Sequence, residues 1–250
     1  MEKHSKILYL GLAFVFSQKR FWLLGFLQVF SLLLVLRRLY PAWWSAWPRA
    51  LWELGLLVVF SIASVLLWYS IKAFSERKNL QLSVIKFGTA TFRVLLVAAG
   101  GVILALGLKS LFSHWTIIAL LSSIIGVSAV ATMLAVALYD LDIARSIRVT
   151  IDLWRHKLSL ISGAVFTAIA ANGFAFYFVH ALWPMTEGTT RFSVSPPSAT
   201  IWILFLVLSI VSAFFATLFN ACLVLWFLDI AKPKKATENL QIPVAQPAGI

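Results

Sequence analysis

Three polar residues interrupt long apolar stretches of this sequence and are its strongest candidates for chemistry inside a membrane. Asn172 and Asn220 stand deep within their stretches, and Glu53 follows a cluster of tryptophans. An amide in hydrocarbon needs a hydrogen-bond partner, so each asparagine is expected to contact protein. The two alternatives are a contact for a polar substrate or ion and a hydrogen bond between helices, of which we favour the second. Glu53 is either a coupling carboxylate or, as we prefer, a carboxylate that is solvated or is paired with Arg49 or with Arg37/Arg38.

Neither a complete catalytic motif nor a complete metal-binding motif is found in the sequence. The stretch "YDLDIAR" begins like the signature of membrane CDP-alcohol phosphotransferases, in which glycines and aspartates at fixed spacing complete a metal site. However, Leu141, Trp154 and Leu158 stand where that signature requires glycine or aspartate. The four histidines are scattered, and the one cysteine, Cys222, cannot form a disulfide within the chain. We therefore predict no catalytic residue, no cofactor and no metal site.

The composition indicates a membrane protein. Of the 250 residues, 61% are hydrophobic and only 12% are charged, and the mean hydropathy is +0.93. Soluble domains are about half apolar and a quarter charged, and a helix needs roughly 20 apolar residues to cross the hydrocarbon layer. Six stretches meet or approach that length, which predicts an all-α polytopic membrane protein with six transmembrane helices. They are residues 21–40, 51–71, 94–112, 115–139, 158–183 and 201–230.

The basic residues predict how these helices are threaded. The net charge is +12, but the basic residues are dispersed over the loops between the apolar stretches, so we exclude nucleic acid as a partner. With the N-terminus in the cytoplasm, most of the 21 lysines and arginines fall on the inner side, which is the normal bias of the plasma or inner membrane. The N- and C-termini are then both cytoplasmic, and the main competing topology is a chain with five spans or with a half-inserted first hairpin. The residues that fall on the outer side are Arg37, Arg38, Arg49, Lys109 and Arg191.

A charged interruption recurs before alternate spans and predicts a helix that lies at the membrane interface. Lys19 and Arg20 divide an apolar run, so we expect one helix to end before them and a span to begin after them. Residues 143–156 give the clearest case, an amphipathic helix lying flat in the headgroup plane with its basic side toward lipid phosphates. Its apolar face is Ile143, Ile147, Ile151 and Trp154, and its charged face is Arg145, Arg148, Asp152 and Arg155.

The recurrence predicts three hairpins of two spans, each preceded by an interfacial amphipathic helix. The units are residues 1–71, 79–139 and 140–230, which are either true repeats or the ordinary alternation of a hairpin protein. All three belong to one helical membrane domain, residues 1–231. Residues 232–250, which are rich in proline, glutamine and alanine, are predicted to form a disordered cytoplasmic tail.

Small side chains recur every four residues in the last two predicted spans. Such stripes let helix backbones approach closely, which favours association where lipid supplies no hydrophobic drive. We therefore expect the fifth and sixth spans to pack along these faces. The stripes are Gly163, Thr167, Ala171 and Ala175 in one span and Ser209, Ala213, Thr217 and Ala221 in the other.

Two stretches, "FSQKRFWLLGF" and "DLDIARSIRVTIDLWRHKLSLISG", together with the six-span architecture, resemble a known group of proteins. These are bacterial and archaeal polytopic proteins related to the membrane domain of glycerophosphoryl diester phosphodiesterases. In that group the phosphodiesterase chemistry belongs to a separate soluble barrel domain, which this sequence does not contain. The resemblance therefore implies a membrane module without catalytic residues.

Together these features predict a non-enzymatic scaffold, accessory or membrane-organising module. Its expected partners are the lipid bilayer, anionic lipid headgroups and an unidentified membrane protein. The alternative is a small permease or transporter subunit with a pathway near Asn172 and Asn220. Transporters usually carry proline- or glycine-interrupted spans and buried charge, and the predicted spans contain no proline.

Overall fold

The structure is a computed structural model that describes residues 2–37, 45–78, 83–111, 115–158 and 199–230. Within these ranges the chain forms α-helices joined by short turns and contains no strand, which confirms the predicted all-α class. The predicted fifth span, with Asn172 and its stripe of small residues, and the tail 232–250 lie outside the described residues. The helices are α1 (Glu2–Ser17), α2 (Trp22–Arg37), α3 (Ala46–Ser75), α4 (Val84–Leu111), α5 (Trp115–Tyr139), α6 (Ile143–His156) and α7 (Ala199–Ile230).

Several of these helices are long and apolar enough to cross a membrane. In the described ranges three helices qualify singly: Ala46–Ser75, Val84–Leu108 and Leu120–Tyr139. Counting the bent pair formed by α1 and α2 as one span raises the number to four, and α7 contributes a shorter apolar segment, Ala213–Asp229. Helices of this length and hydropathy belong in a bilayer, so the protein is membrane-embedded.

The first apolar run is divided at its basic residues, as predicted. α1 ends at Ser17, a single 3-10 turn covers Lys19–Phe21, and the helix axes on its two sides are bent by 91°. Lys19 and Arg20 are exposed at this bend. A straight helix would place both charges in hydrocarbon, at a cost of about 2.5–3.5 kcal/mol each on insertion scales. The Trp22 indole N–H donates to the Val15 carbonyl across 3.0 Å and helps to hold the bend.

The segment before the third span departs from the prediction of a separate interfacial helix. α4 runs without a break from Val84 to Leu111, so its first turns continue directly into the span. The segment contains no proline that would interrupt the helix, and Arg93 is paired although its backbone remains helical. The Arg93 guanidinium lies 3.1 Å from the Leu141 carbonyl and 3.5 Å from the Asp140 carboxylate. The prediction of a separate interfacial helix before each hairpin is therefore wrong for the second unit, residues 79–139.

The core is concentrated around the C-terminal half of α5. Every residue in 132–138 is buried, because α3, α4, α6 and α7 all contact α5. Two cations reach the end of this helix, where free carbonyls carry partial negative charge. Lys72 Nζ lies 2.5 Å from the Leu138 carbonyl, and Arg93 binds just beyond it. Lys72 in the last turn of α3 and Arg93 in the third turn of α4 thus stabilise the C-terminus of the most enclosed described helix.

Candidate functional site: a buried polar junction of three helices

Asn220 lies in α7 where α2 and α3 pack against that helix. Its side chain is only 4% exposed. The Trp68 indole N–H of α3 donates to Asn220 Oδ1 across 2.8 Å. Asn220 Nδ2 in turn donates to Gln28 Oε1 of α2 across 2.6 Å and to the Ala216 carbonyl across 2.8 Å. We call Gln28, Trp68 and Asn220 the polar junction.

The side-chain amide of Asn220 is hydrogen-bonded entirely to protein groups. Both N–H groups of the amide have acceptors, and its oxygen has a donor from another helix. The two partners are also buried, with Gln28 6% and Trp68 1% exposed. A buried polar group costs free energy unless it is paired, and here three helices supply the pairs. The arrangement links helices and leaves neither N–H group of Asn220 available to a ligand.

The small residues of α7 lie beside this junction. Ala213, Thr217 and Ala221 are buried, and the side chain of Ser209 lies outside the described residues. α2 approaches Thr217 so closely that a β-carbon on Gly25 would overlap its hydroxyl oxygen and lie 3.0 Å from its backbone nitrogen. This contact is with α2, whereas the predicted partner of the stripe, the fifth span, is outside the described residues.

Prediction from the sequence missed Gln28 and Trp68 of the polar junction and Gly25 beside it. In α2 the residues Trp22, Gly25 and Gln28 follow one another at intervals of three and meet Phe214, Thr217 and Asn220 of α7, which have the same spacing. A search for small or polar residues at three-residue intervals in α2 would have found this face. The sequence analysis looked for small residues at four-residue intervals in the last two predicted spans and therefore did not identify this face of α2.

Glu53 is placed far from the polar junction. It lies part-exposed in the second turn of α3, where several neighbouring residues are exposed. Trp68 follows it by 15 residues on the same helix, which is about 22 Å at the helical rise per residue. Glu53 and Asn220 therefore do not form one site.

The aspartates of "YDLDIAR" serve the turn between α5 and α6. Asp140 adopts a left-handed backbone conformation with φ 52°, which ends α5. Asp142 caps α6, because its carboxylate accepts the Arg145 backbone N–H across 2.8 Å. No group of three or more metal-ligating side chains is gathered in the described ranges. Asp140 and Asp142 therefore have structural roles, one at the end of α5 and the other at the start of α6.

Comparison with protein-family models, curated proteins and solved structures gives no match. The resemblance to the membrane domain of glycerophosphoryl diester phosphodiesterases stays a prediction. Among the described residues, an open surface cleft at the bend is lined by residues 16–20 and does not include the polar junction.

Proposed function

We propose that this protein is a non-enzymatic membrane module that acts as a scaffold or accessory subunit, or organises the membrane around it. The observation that supports this proposal is the pairing of Asn220 with Trp68 and Gln28 in the bundle interior. An amide of this kind stabilises helix association, because its oxygen and one of its N–H groups pair with side chains of two other helices.

The alternative is a permease with a pathway near Asn172 and Asn220. Intramembrane polar groups on a transport path line a water-filled cavity or a discontinuous helix, so that the substrate can replace their partners. Around Asn220 the described neighbours are an indole, an amide and small side chains in close contact. These contacts favour the scaffold over the permease.

Substituting leucine for Asn172 and Asn220, singly and together, tests this choice in cells that depend on the protein. In a scaffold, loss of cellular function follows loss of thermal stability of the purified variants, because the amides act through packing. The proposal fails if the Asn220→Leu protein keeps its thermal stability in detergent and the cells lose uptake of a solute.

We further propose that the chain crosses the cell membrane six times in three hairpins, with both termini in the cytoplasm. Lys72, Arg77 and Lys78 lie at or beyond the end of α3, and Arg93 contacts the end of α5. Basic residues are retained on the cytoplasmic side during insertion, so this end of the bundle is assigned to the cytoplasm. The lipid bilayer is then the first partner of the protein.

Single cysteines introduced into a Cys222→Ser background report the threading through labelling by a membrane-impermeant maleimide. We expect Lys78→Cys and Lys232→Cys to react only from the cytoplasmic side and Ser45→Cys to react from the outside. Labelling of positions 78 and 232 from opposite sides would contradict the proposed threading. Protection of position 45 from the outside would show that the first hairpin is half-inserted.

A further inference from the structure

Helix α6 runs back beside α5, whereas its amphipathic pattern predicts a helix lying flat in the headgroup plane. Thr132 and Thr150 join their hydroxyls across 2.9 Å, and the Trp154 indole N–H donates to Ser128 Oγ across 3.0 Å. These contacts advance in opposite directions along the two helices, so α6 is antiparallel to α5. The side of α6 that faces α5 is buried and consists of Ser146, Thr150 and Leu153.

The end of α6 lies level with the middle of a candidate membrane span. Trp154 contacts Ser128 of α5, and that span runs from Leu120 to Tyr139. At the helical rise, Ser128 is about 12 Å from Leu120 and about 16 Å from Tyr139 along the axis. In a bilayer that α5 spans, α6 is therefore a re-entrant helix that ends within the hydrocarbon.

Two exposed sides of α6 suit this depth differently. Ile147 is 47% and Ile151 is 44% exposed, and acyl chains provide both with an apolar environment. Arg148, Asp152 and Arg155 are also exposed, on the side of α6 that points away from α5. Hydrocarbon excludes bare charges, so this charged side needs a polar partner at membrane depth.

The charged side carries more positive than negative charge. Arg148 and Arg155 stand about one helical turn before and after Asp152, and Lys157 adds an exposed cation just beyond the helix. Within the described ranges neither arginine forms an ion pair. Arg155 is too deep for its side chain to reach a headgroup layer, because it follows the residue that contacts the middle of α5. A carboxylate at the same depth would neutralise this surplus.

No predicted span of this chain carries a carboxylate near its middle. The predicted fifth span, residues 158–183, follows α6 directly and contains no acidic residue. Glu53 and Asp229 stand near the ends of their apolar stretches, and Asp140 and Asp142 precede α6. A second copy would bring its own two arginines with each Asp152, so pairing two copies leaves the surplus per copy unchanged. The carboxylate must therefore come from a different molecule.

We propose that the charged side of α6 binds a transmembrane helix of another membrane protein, in which a carboxylate within the span pairs with Arg155 and Arg148. This inference rests on the accessory role proposed above and gives the chemistry of the partner. Phospholipid does not fit, because its phosphate stays in the headgroup layer, about 12 Å or more from the level of Arg155. A charge pair between helices is favoured at this depth, since neither ion has water as an alternative partner.

Model transmembrane peptides test this proposal with the full-length protein in phosphatidylcholine vesicles. The protein carries a fluorescence donor on Lys78→Cys in a Cys222→Ser background. The acceptor-labelled peptides consist of leucine and alanine with either glutamate or glutamine at the centre. Because a buried charge pair contributes strongly to association, we expect the glutamate peptide to bind at least about 10-fold more tightly than the glutamine peptide.

Substitutions of Arg155 should change which peptide is preferred. Arg155→Leu leaves Arg148 balanced by Asp152, so we expect it to abolish the preference for the glutamate peptide. Arg155→Glu should reverse the preference, so that a peptide with a central lysine binds more tightly than the glutamate peptide. A merely structural role of Arg155 would not produce this reversal.

Arg145→Leu is the matched control, because Arg145 lies on the same helix near its start and is paired with Asp142 at 3.1 Å. This variant should keep the preference for the glutamate peptide. The proposal is overturned if the unmodified protein shows no preference, if Arg155→Leu keeps it, or if Arg145→Leu loses it equally. Energy transfer between two differently labelled copies that Arg155→Leu abolishes would also overturn it, by showing that a second copy occupies this side. Any of these results together with a destabilised Asn220→Leu protein would leave the proposed function standing.

Discussion

Replacing Asn220 with leucine is expected to lower the free energy of unfolding by about 1–3 kcal/mol. The substitution removes the acceptor of the Trp68 indole N–H and the donor to Gln28 Oε1, and both partners are buried. A buried donor or acceptor left without a partner loses its hydrogen bond and regains no water. The change is measured by reversible denaturation of the detergent-solubilised protein in increasing dodecyl sulfate.

Ser61→Ala is the matched control for this prediction. The Ser61 hydroxyl is also fully buried, but it donates to the Leu57 carbonyl of its own helix at 2.7 Å. Its removal leaves no group of another helix unpaired, so we expect a loss of about 0.5 kcal/mol or less. A double-mutant cycle with Trp68→Phe should show that the two substitutions are not additive. Wild-type stability of Asn220→Leu would refute the pairing role.

Replacing Gly25 with alanine is expected to destabilise the protein by about 1–3 kcal/mol, because it overfills the contact between α2 and α7. The new methyl group would overlap Thr217 Oγ1 and would lie 3.0 Å and 3.2 Å from the Thr217 backbone nitrogen and Cα. A side chain can rotate away, but two helix backbones must separate to make this room. The same denaturation assay measures the effect.

Gly100→Ala controls for the addition of a methyl group to a helix. No atom lies within 4 Å of the β-carbon it would gain, so alanine should be neutral or stabilise α4 by up to about 1 kcal/mol. Thr217→Ala in the Gly25→Ala background should recover only part of the loss, because the backbone atoms of Thr217 remain in the way. Equal stabilities for Gly25→Ala and Gly100→Ala would contradict the close packing of α2 on α7.

The sequence was sufficient to predict where charged and polar groups must avoid hydrocarbon. Hydrocarbon excludes the charges of Lys19 and Arg20, so the division of the first apolar run after Ser17 was predictable. The same reasoning predicted that Asn220 must contact protein, because an amide in an apolar stretch needs a partner. The identity of that partner was not predictable, since Gln28 and Trp68 lie 192 and 152 residues away in the chain.

Helix orientation was harder to predict than helix location. The amphipathic pattern of α6 indicated an apolar side and a basic side, but the packing side proved to consist of Ser146, Thr150 and Leu153. Helices can associate through paired hydroxyl groups as well as through apolar side chains. Hydropathy alone therefore does not identify the face of α6 that contacts α5. The contacts of α2 with α7 advance in the same direction along both helices, whereas the proposed six-span threading runs α2 outward and α7 inward. The labelling of positions 78 and 232 decides between the two arrangements, because parallel helices would bring these positions to opposite sides of the membrane.

We propose that the polar atoms between α2, α3 and α7 are sealed within the protein and do not face a substrate path. The most direct measurement is the reaction of Thr217→Cys, in a Cys222→Ser background, with a water-soluble methanethiosulfonate. Thr217 is completely buried, whereas Arg20 is exposed at the bend. We predict that the folded Thr217→Cys protein does not react until it is denatured, while Arg20→Cys reacts at once. Reaction of both positions at the same rate would place water beside the polar junction and show that the junction is not sealed.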